Sequence, residues 1–168
     1  MSDLLLNLGS GQRKFVGWVN VDIQPKWKPD IVADCSDLCG VFEDKSAKTI
    51  VLHHVLEHFG CGEADAMLKE CHRILAPYGT LIVFVPDMEE LARMWLGGRL
   101  TDQVYLTNVY GAYMGDEADK HRWGFTWRSL SETLKRAGFN YVINYTYRGI
   151  NGMDVCRDRW ILALEAIK

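Results

Sequence analysis

The sequence predicts an α/β protein built on an open, mostly parallel sheet, and three observations carry that expectation. Short apolar runs alternate with segments of helical periodicity. Each run ends in a small or polar residue. The last two runs are joined through Gly149, Asn151 and Gly152, as an antiparallel pair would be. The 168 residues suit a single domain over 1–168 and fall short of a (β/α)₈ barrel, which takes about 250.

The first apolar run, Leu4 to Leu8, breaks into the turn Gly9-Ser10-Gly11 and reads as a buried strand. Trp18 to Asp22 and Ile31 to Ala33 are the second and third strands, and Lys48 to Leu52 is the fourth. Ala64, Met67, Leu68, Cys71, Ile74 and Leu75 then recur at i, i+3, i+4, i+7, the stripe of an amphipathic helix. Pro77-Tyr78-Gly79 turns the chain into Thr80 to Val85, apolar at almost every position, as a strand covered on both faces must be. Asp87 is placed to cap a helix from Met88 to Leu96. Trp127, Leu130, Leu134 and Ala137 mark another helix, with Ser129 and Glu132 spaced for a capping box and Gly138 to end it. Tyr141 to Tyr147 and Trp160 to Ala166 close the chain.

One irregularity stands out. The links from Gly11 to Trp18 and from Ile23 to Asp30 are too short for crossover helices, which need a dozen residues or more. One sheet face therefore has trimmed helical cover, although its strands are apolar. The stretch 88–123 wrapping back over that face, or a second copy of the chain forming a homodimer through it, would supply the shield.

Composition narrows the function classes. A formal charge of −3 gives no basic footprint for nucleic acid. The five cysteines, Cys35, Cys39, Cys61, Cys71 and Cys156, are odd in number and form no CxxC pair, which fits reduced thiols. Asp3 stands where a signal peptide carries positive charge, and no run is long enough to span a membrane, so a cytoplasmic protein without membrane partners is expected.

In an open α/β sheet the ligand lies at the carboxyl ends of the strands, which here carry Gly9, Ser10, Gly11, Asp22, Asp34, His53 and Asp87. The dinucleotide fingerprint needs a third glycine where Lys14 stands, and its acidic residue about 20 positions on, so Asp22 comes too soon. S-adenosylmethionine asks for less, because it has no phosphates. A glycine turn can lie against its methionine portion, and Asp22 can accept both ribose hydroxyls. Asp34 can accept from the adenine amino group while the backbone at Cys35 and Ser36 reads the ring edge. Both acids also suit turns that bond their own backbone.

The chain resembles the small, type-11-like class I S-adenosylmethionine-dependent methyltransferases. The likeness rests on Leu6-Asn-Leu-Gly-Ser-Gly11, Gly17-Trp-Val-Asn-Val-Asp22, Asp34, His54-Val-Leu-Glu-His58 and the stretch from Leu68 through Pro77 to Leu81. It continues through Val85-Pro-Asp87 and from Phe125 to Phe139, and is thinnest from Met88 to Arg122. Two features depart from the family pattern: Tyr78-Gly79 replaces Gly-Gly, and a helix before the first strand is absent. The resemblance implies a Rossmann-like seven-stranded sheet with the last strand inserted antiparallel, and S-adenosylmethionine across the ends of the first four strands. Carried over, it sets Gly9, Ser10 and Gly11 on the methionine part, Asp22 with Ile23 on the ribose, and Asp34, Cys35 and Ser36 near adenine. His53 and His54 flank the methyl donor.

His54-Val-Leu-Glu57-His58 also spells H-x-x-E-H, the pattern of a metal-dependent hydrolase, but Gly60 and Gly62 leave barely one helical turn for it, and no metal is expected. Methyl transfer to a hydroxyl needs a base near neutral pH. His54 is the first candidate, with His121 and Asp87 behind it; capping of a turn by His54 or of a helix by Asp87, and a surface position for His121, are the plain alternatives. Residues 88–123 would form a lid or acceptor-site insertion. Tyr105, Tyr110, Tyr113, Trp123, Phe125 and Trp127 are dense enough to line an acceptor pocket. The reading is a methyltransferase acting on a small-molecule or glycan-type acceptor by direct in-line transfer. A non-catalytic module of the same fold and an HxxEH hydrolase are the alternatives.

Overall fold

Strand composition and helix periodicity together dictate the layers. The computed structural model describes residues 4–112, 117–146 and 158–168. Its strands are β1 (Leu4–Leu8), β2 (Val19–Asp22), β3 (Ile31–Val32), β4 (Ala47–His53), β5 (Leu75–Pro86), β6 (Tyr141–Asn144) and β7 (Ile161–Ile167). They form one sheet in the order β3-β2-β1-β4-β5-β7-β6. Neighbours from β3 to β5 pair in parallel, whereas β7 lies antiparallel between β5 and β6. This is the seven-stranded arrangement with the last strand inserted in reverse. The glycine-containing link before β7, with Tyr147 and Cys156, lies outside the described residues.

Period-2 alternation splits the strand side chains between two faces. Leu6, Leu8, Ile50, Leu52, Leu81 and Val83 point to one face, where α1 (Cys61–Ile74) buries Met67, Leu68, Cys71 and Ile74 and α4 (Trp127–Arg136) buries Leu130 and Leu134. This is the main core. The capping of α4 differs from the expected Ser129–Glu132 box. Thr126 is the N-cap and exchanges bonds with Ser129, because the helix starts one turn earlier at Trp127. Gly138 follows the helix at φ +109° and donates its N–H to the Lys135 carbonyl.

The opposite face carries Val51, Ile82 and Phe84, all sealed from solvent within a single chain. Phe15 and Trp18 from the β1–β2 link and Tyr145 after β6 pack with them. The short link covers the face itself, held by two asparagines paired across β1 and β2. The Asn7 and Phe15 nitrogens donate to Asn20 Oδ1 at 2.9 and 2.8 Å, and Asn20 Nδ2 donates to the Phe15 and Trp18 carbonyls and to Asp30. A buried, satisfied polar network thus stands where a crossover helix was missing. The Asn20 backbone N–H, then its side-chain amide, also hold the Asp30 carboxyl below its usual range.

Two shields were suggested for this face. The described part of 88–123 does not lie over it: α2 (Met88–Leu96) and α3 (Asp102–Tyr110) sit beyond the strand ends, where Arg122 and Trp123 donate their N–H groups to the Glu57 carbonyl. The apolar strands are shielded without a second copy, which removes the argument that suggested one. Among the described residues, no helix is long and apolar enough to cross a membrane.

Candidate active site

The site begins at the turn after β1, where chain geometry demands glycine. Gly9 has φ +66°, and a Cβ there would stand 2.5 Å from Val55 Cγ2, so only hydrogen fits between this turn and the loop after β4. Gly11 has φ +50°, and its missing Cβ leaves open space. The Asp22 carboxylate, nearly buried, latches the turn: Gly11 donates its N–H to Oδ2 at 2.7 Å and Gln24 donates to Oδ1 at 2.8 Å. An ionised carboxylate has about four acceptor positions, so two remain for a diol. Ser10 Oγ is buried without a protein partner.

A cleft of about 430 Å³ opens here, within the range of small-molecule sites. Gly9, Gly11, Asp22, Ile23, Asp34, Cys35, Ser36 and His54 line it, joined by Trp27, Val55 and residues of the 88–123 segment including Asp119 and Arg122. Eight residues singled out in the sequence therefore converge on one cavity. Asp34 also serves its own turn, its Oδ1 accepting from Ser36 N and Oγ at 2.8 and 2.7 Å. Burial pushes the Cys35 thiol up to about 12, so it lines the cleft as a neutral group.

At the end of β4 the chain turns sharply and His54 takes φ +56°, a left-handed conformation unusual for a side-chain-bearing residue. Its Nδ1–H donates to Glu57 Oε1 at 2.9 Å, and Glu57 is only 1 % exposed. This bond fixes the tautomer and leaves Nε2 as an acceptor. A second cavity, of about 540 Å³, adjoins the first; His54, His58, Trp27 and Asp119 line both, and Gln12, Lys26, Thr107, Asn108, Ala112 and His121 complete it.

Other expected site residues go elsewhere. His53 borders neither cavity: alternation along β4 turns its ring away from the main core, 5.1 Å from Phe84. Burial, then the nearby His54 and Arg13, lower its pKa to about 3. Asp87 caps α2, its Oδ1 accepting from Glu89 and Glu90 N–H, and lies outside both cavities. His121 is no surface residue: it lines the second cavity, and burial holds its pKa below the ordinary value.

Among the described residues, the aromatics expected to form an acceptor pocket line neither cavity. Tyr105 stacks on Trp95, Phe125 is in the core, Trp127 donates to Asn144, Tyr110 is exposed, and Trp123 borders neither cavity. Tyr113 lies outside the described residues. Trp27, His58 and Asn108 line the second cavity instead. His54 and His58 of the H-x-x-E-H string do not group as metal ligands, because Leu56–His58 is a single 3₁₀ turn.

This sheet order, with its cleft at the ends of β1, β2 and β4, is the fold of class I S-adenosylmethionine-dependent methyltransferases. Solved structures agree. A methyltransferase from Archaeoglobus fulgidus superposes with a TM-score of 0.66 at 14 % identity, over 99 % of this chain and 86 % of that one. A methyltransferase from Methanosarcina mazei gives 0.64 at 16 %, over 99 % and 92 %. The 1,6-didemethyltoxoflavin-N1-methyltransferase of Burkholderia thailandensis, solved with its acceptor and S-adenosylhomocysteine, gives 0.60 at 17 %, over 99 % and 71 %. No curated protein matches the chain significantly in sequence. Residues 9–83, which contain the glycine turn, Asp22, Asp34 and His54, match the family model of the type-11 methyltransferase domain. Residues 9–83 thus resemble a methyltransferase domain, and the chain as a whole has the fold of S-adenosylmethionine-dependent methyltransferases.

Proposed function

We propose that the protein transfers a methyl group in line to a nucleophilic oxygen or nitrogen of a small-molecule or glycan-type acceptor, with His54 as the base. The observation that carries this reading is the position of His54 on the wall shared by the two cavities, its ring oriented by a buried carboxylate. A histidine held by a carboxylate is set to take a proton at its other nitrogen. The smaller cleft suits the donor, for Asp22 has acceptor capacity left for the ribose hydroxyls and Gly11 leaves room for close approach. Asp34, Cys35 and Ser36 are then the adenine contacts, and the larger cavity takes the acceptor. The 88–123 segment acts as the acceptor-site insertion, since Thr107, Asn108, Asp119 and His121 come from it.

S-adenosylmethionine supplies an activated methyl: the acceptor lone pair bonds to the methyl carbon as the carbon–sulfur bond breaks, leaving S-adenosylhomocysteine. The protein's part is orientation, exclusion of water and removal of the acceptor proton to His54 Nε2. Calorimetric titration with S-adenosylmethionine and S-adenosylhomocysteine tests the donor site. Asp22→Ala is expected to weaken both by about tenfold or more, the worth of a lost charge-assisted hydrogen bond; unchanged affinity removes the ribose assignment. His54→Ala is expected to keep donor affinity while lowering turnover about 10²-fold or more on an acceptor found by screening. Normal turnover in that variant removes the base, and donor binding with no transfer to any acceptor favours a binding module.

A further inference from the structure

We infer that Glu57, His58 and His121 form a binding site for a divalent first-row transition-metal ion in the wall of the acceptor cavity. Each offers one ligand atom, and the three atoms lie within 4.8 Å of one another. His58 arrives on the 3₁₀ turn after β4 and His121 from the segment beyond α3, so their rings meet edge to face only in the folded chain, 4.9 Å between centroids.

Two independent features point to an ion. The first is the state of the imidazoles. His58 Nδ1–H donates to the Lys120 carbonyl at 3.1 Å and His121 Nδ1–H to the Asn108 carbonyl at 2.8 Å. A carbonyl can only accept, so in the neutral rings the lone pair is on Nε2. Metal-binding histidines are oriented in this way by backbone carbonyls. The second is Glu57. Its Oε1 is taken by His54, but Oε2 is buried with no hydrogen-bond partner, in a side chain 1 % exposed. A buried carboxylate oxygen left unpaired is costly, and a cation on it removes the cost.

Two imidazoles and one carboxylate select zinc, iron, cobalt or nickel over magnesium or calcium, which prefer all-oxygen sets. Ligand atoms about a tetrahedral zinc stand roughly 3.3 Å apart, so closure needs a small inward shift of His58 and His121, the two partly exposed ligands. Three protein ligands leave a coordination position open. His58 and His121 both line the larger cavity, beside His54, so that position faces the acceptor. Resting on the methyltransferase reading, the site narrows the acceptor to a compound that presents an oxygen ligand to the ion next to the atom methylated.

The test uses the chelator-stripped protein with Cys156 and the exposed Cys39 and Cys61 replaced by serine, which removes three competing ligands for the probe. Zn²⁺ titration by calorimetry, and Co²⁺ titration followed by its visible absorption, are expected to give one equivalent. His121→Ala and Glu57→Gln are each expected to weaken Zn²⁺ binding by about tenfold or more. S-adenosylhomocysteine affinity in His121→Ala stays within about twofold, which reports an intact fold. Absence of stoichiometric metal in the His121-containing protein overturns the site, and so does equal affinity in His121→Ala. One equivalent of metal in a protein that binds no S-adenosylhomocysteine supports the site while removing the donor cleft assignment.

Discussion

Replacing His53 with leucine should flatten the acid side of the stability curve. The imidazole is largely buried against Phe84, its inaccessible Nε2 has no hydrogen-bond partner, and its pKa falls from 6.5 to about 3. A group whose folded pKa is depressed contributes stability above its unfolded pKa and loses it as pH falls towards the folded one. The window therefore runs from pH 6.5 down to about 3. At about pH 5 protonation favours the unfolded chain by a factor of about 33 and the folded chain hardly at all, which amounts to about 2 kcal/mol. Urea unfolding at about pH 7.5 and about pH 5 reads this directly. The wild type should lose about 2 kcal/mol more than His53→Leu between those conditions, while at the higher pH the variant should be equal or slightly more stable, since an unsatisfied buried nitrogen has gone. His72 and His121 also have depressed pKa values, and the difference between the two proteins cancels them. Parallel losses in both would refute the reasoning.

Three further substitutions probe how the site is built. Gly9→Ala should cost about 2–4 kcal/mol, from left-handed strain and from the 2.5 Å approach to Val55; adding Val55→Ala should return the contact part only, and a deficit that Val55→Ala leaves untouched would refute the contact. Asn20→Leu should cost about 3 kcal/mol and speed amide exchange at Phe15, because it strands Asn7 and the link carbonyls in the interior; unchanged exchange at Phe15 would show that another contact holds the link. Tyr78→Gly should stabilise by about 1 kcal/mol in thermal unfolding, since Tyr78 sits at φ +63° with its side chain 89 % exposed; a loss of stability would mean the ring contributes to the turn.

Much of the proposed donor cleft is legible in one dimension because its parts are local. A strand that runs out into a glycine turn, or ends at Asp22 or Asp34, already says where those residues stand, since parallel strands align their carboxyl ends. The helix over Ala64 to Ile74 was equally plain, for one stripe of apolar residues can satisfy only one face. The sequence stayed ambiguous where several local answers were equally good. Asp87 could cap or catalyse, and the tertiary structure shows it capping α2. His53 and His54 are neighbours, yet strand alternation sends the first beside Phe84 and a left-handed turn sends the second into the cavity wall.

What the sequence by itself determined is the α/β order, the parallel strand ends and the glycine–aspartate cradle, all set by short-range alternation and backbone stereochemistry. The tertiary structure decided the second cavity, the proposed acceptor side. His58 meets Lys120 across 62 positions, His121 closes on Glu57, and Trp27 replaces the expected aromatics. It also decided how the link without a helix covers its face, through Asn7 and Asn20. No periodicity encodes such pairings, because they arise from the positions that a packed sheet imposes on segments distant along the chain.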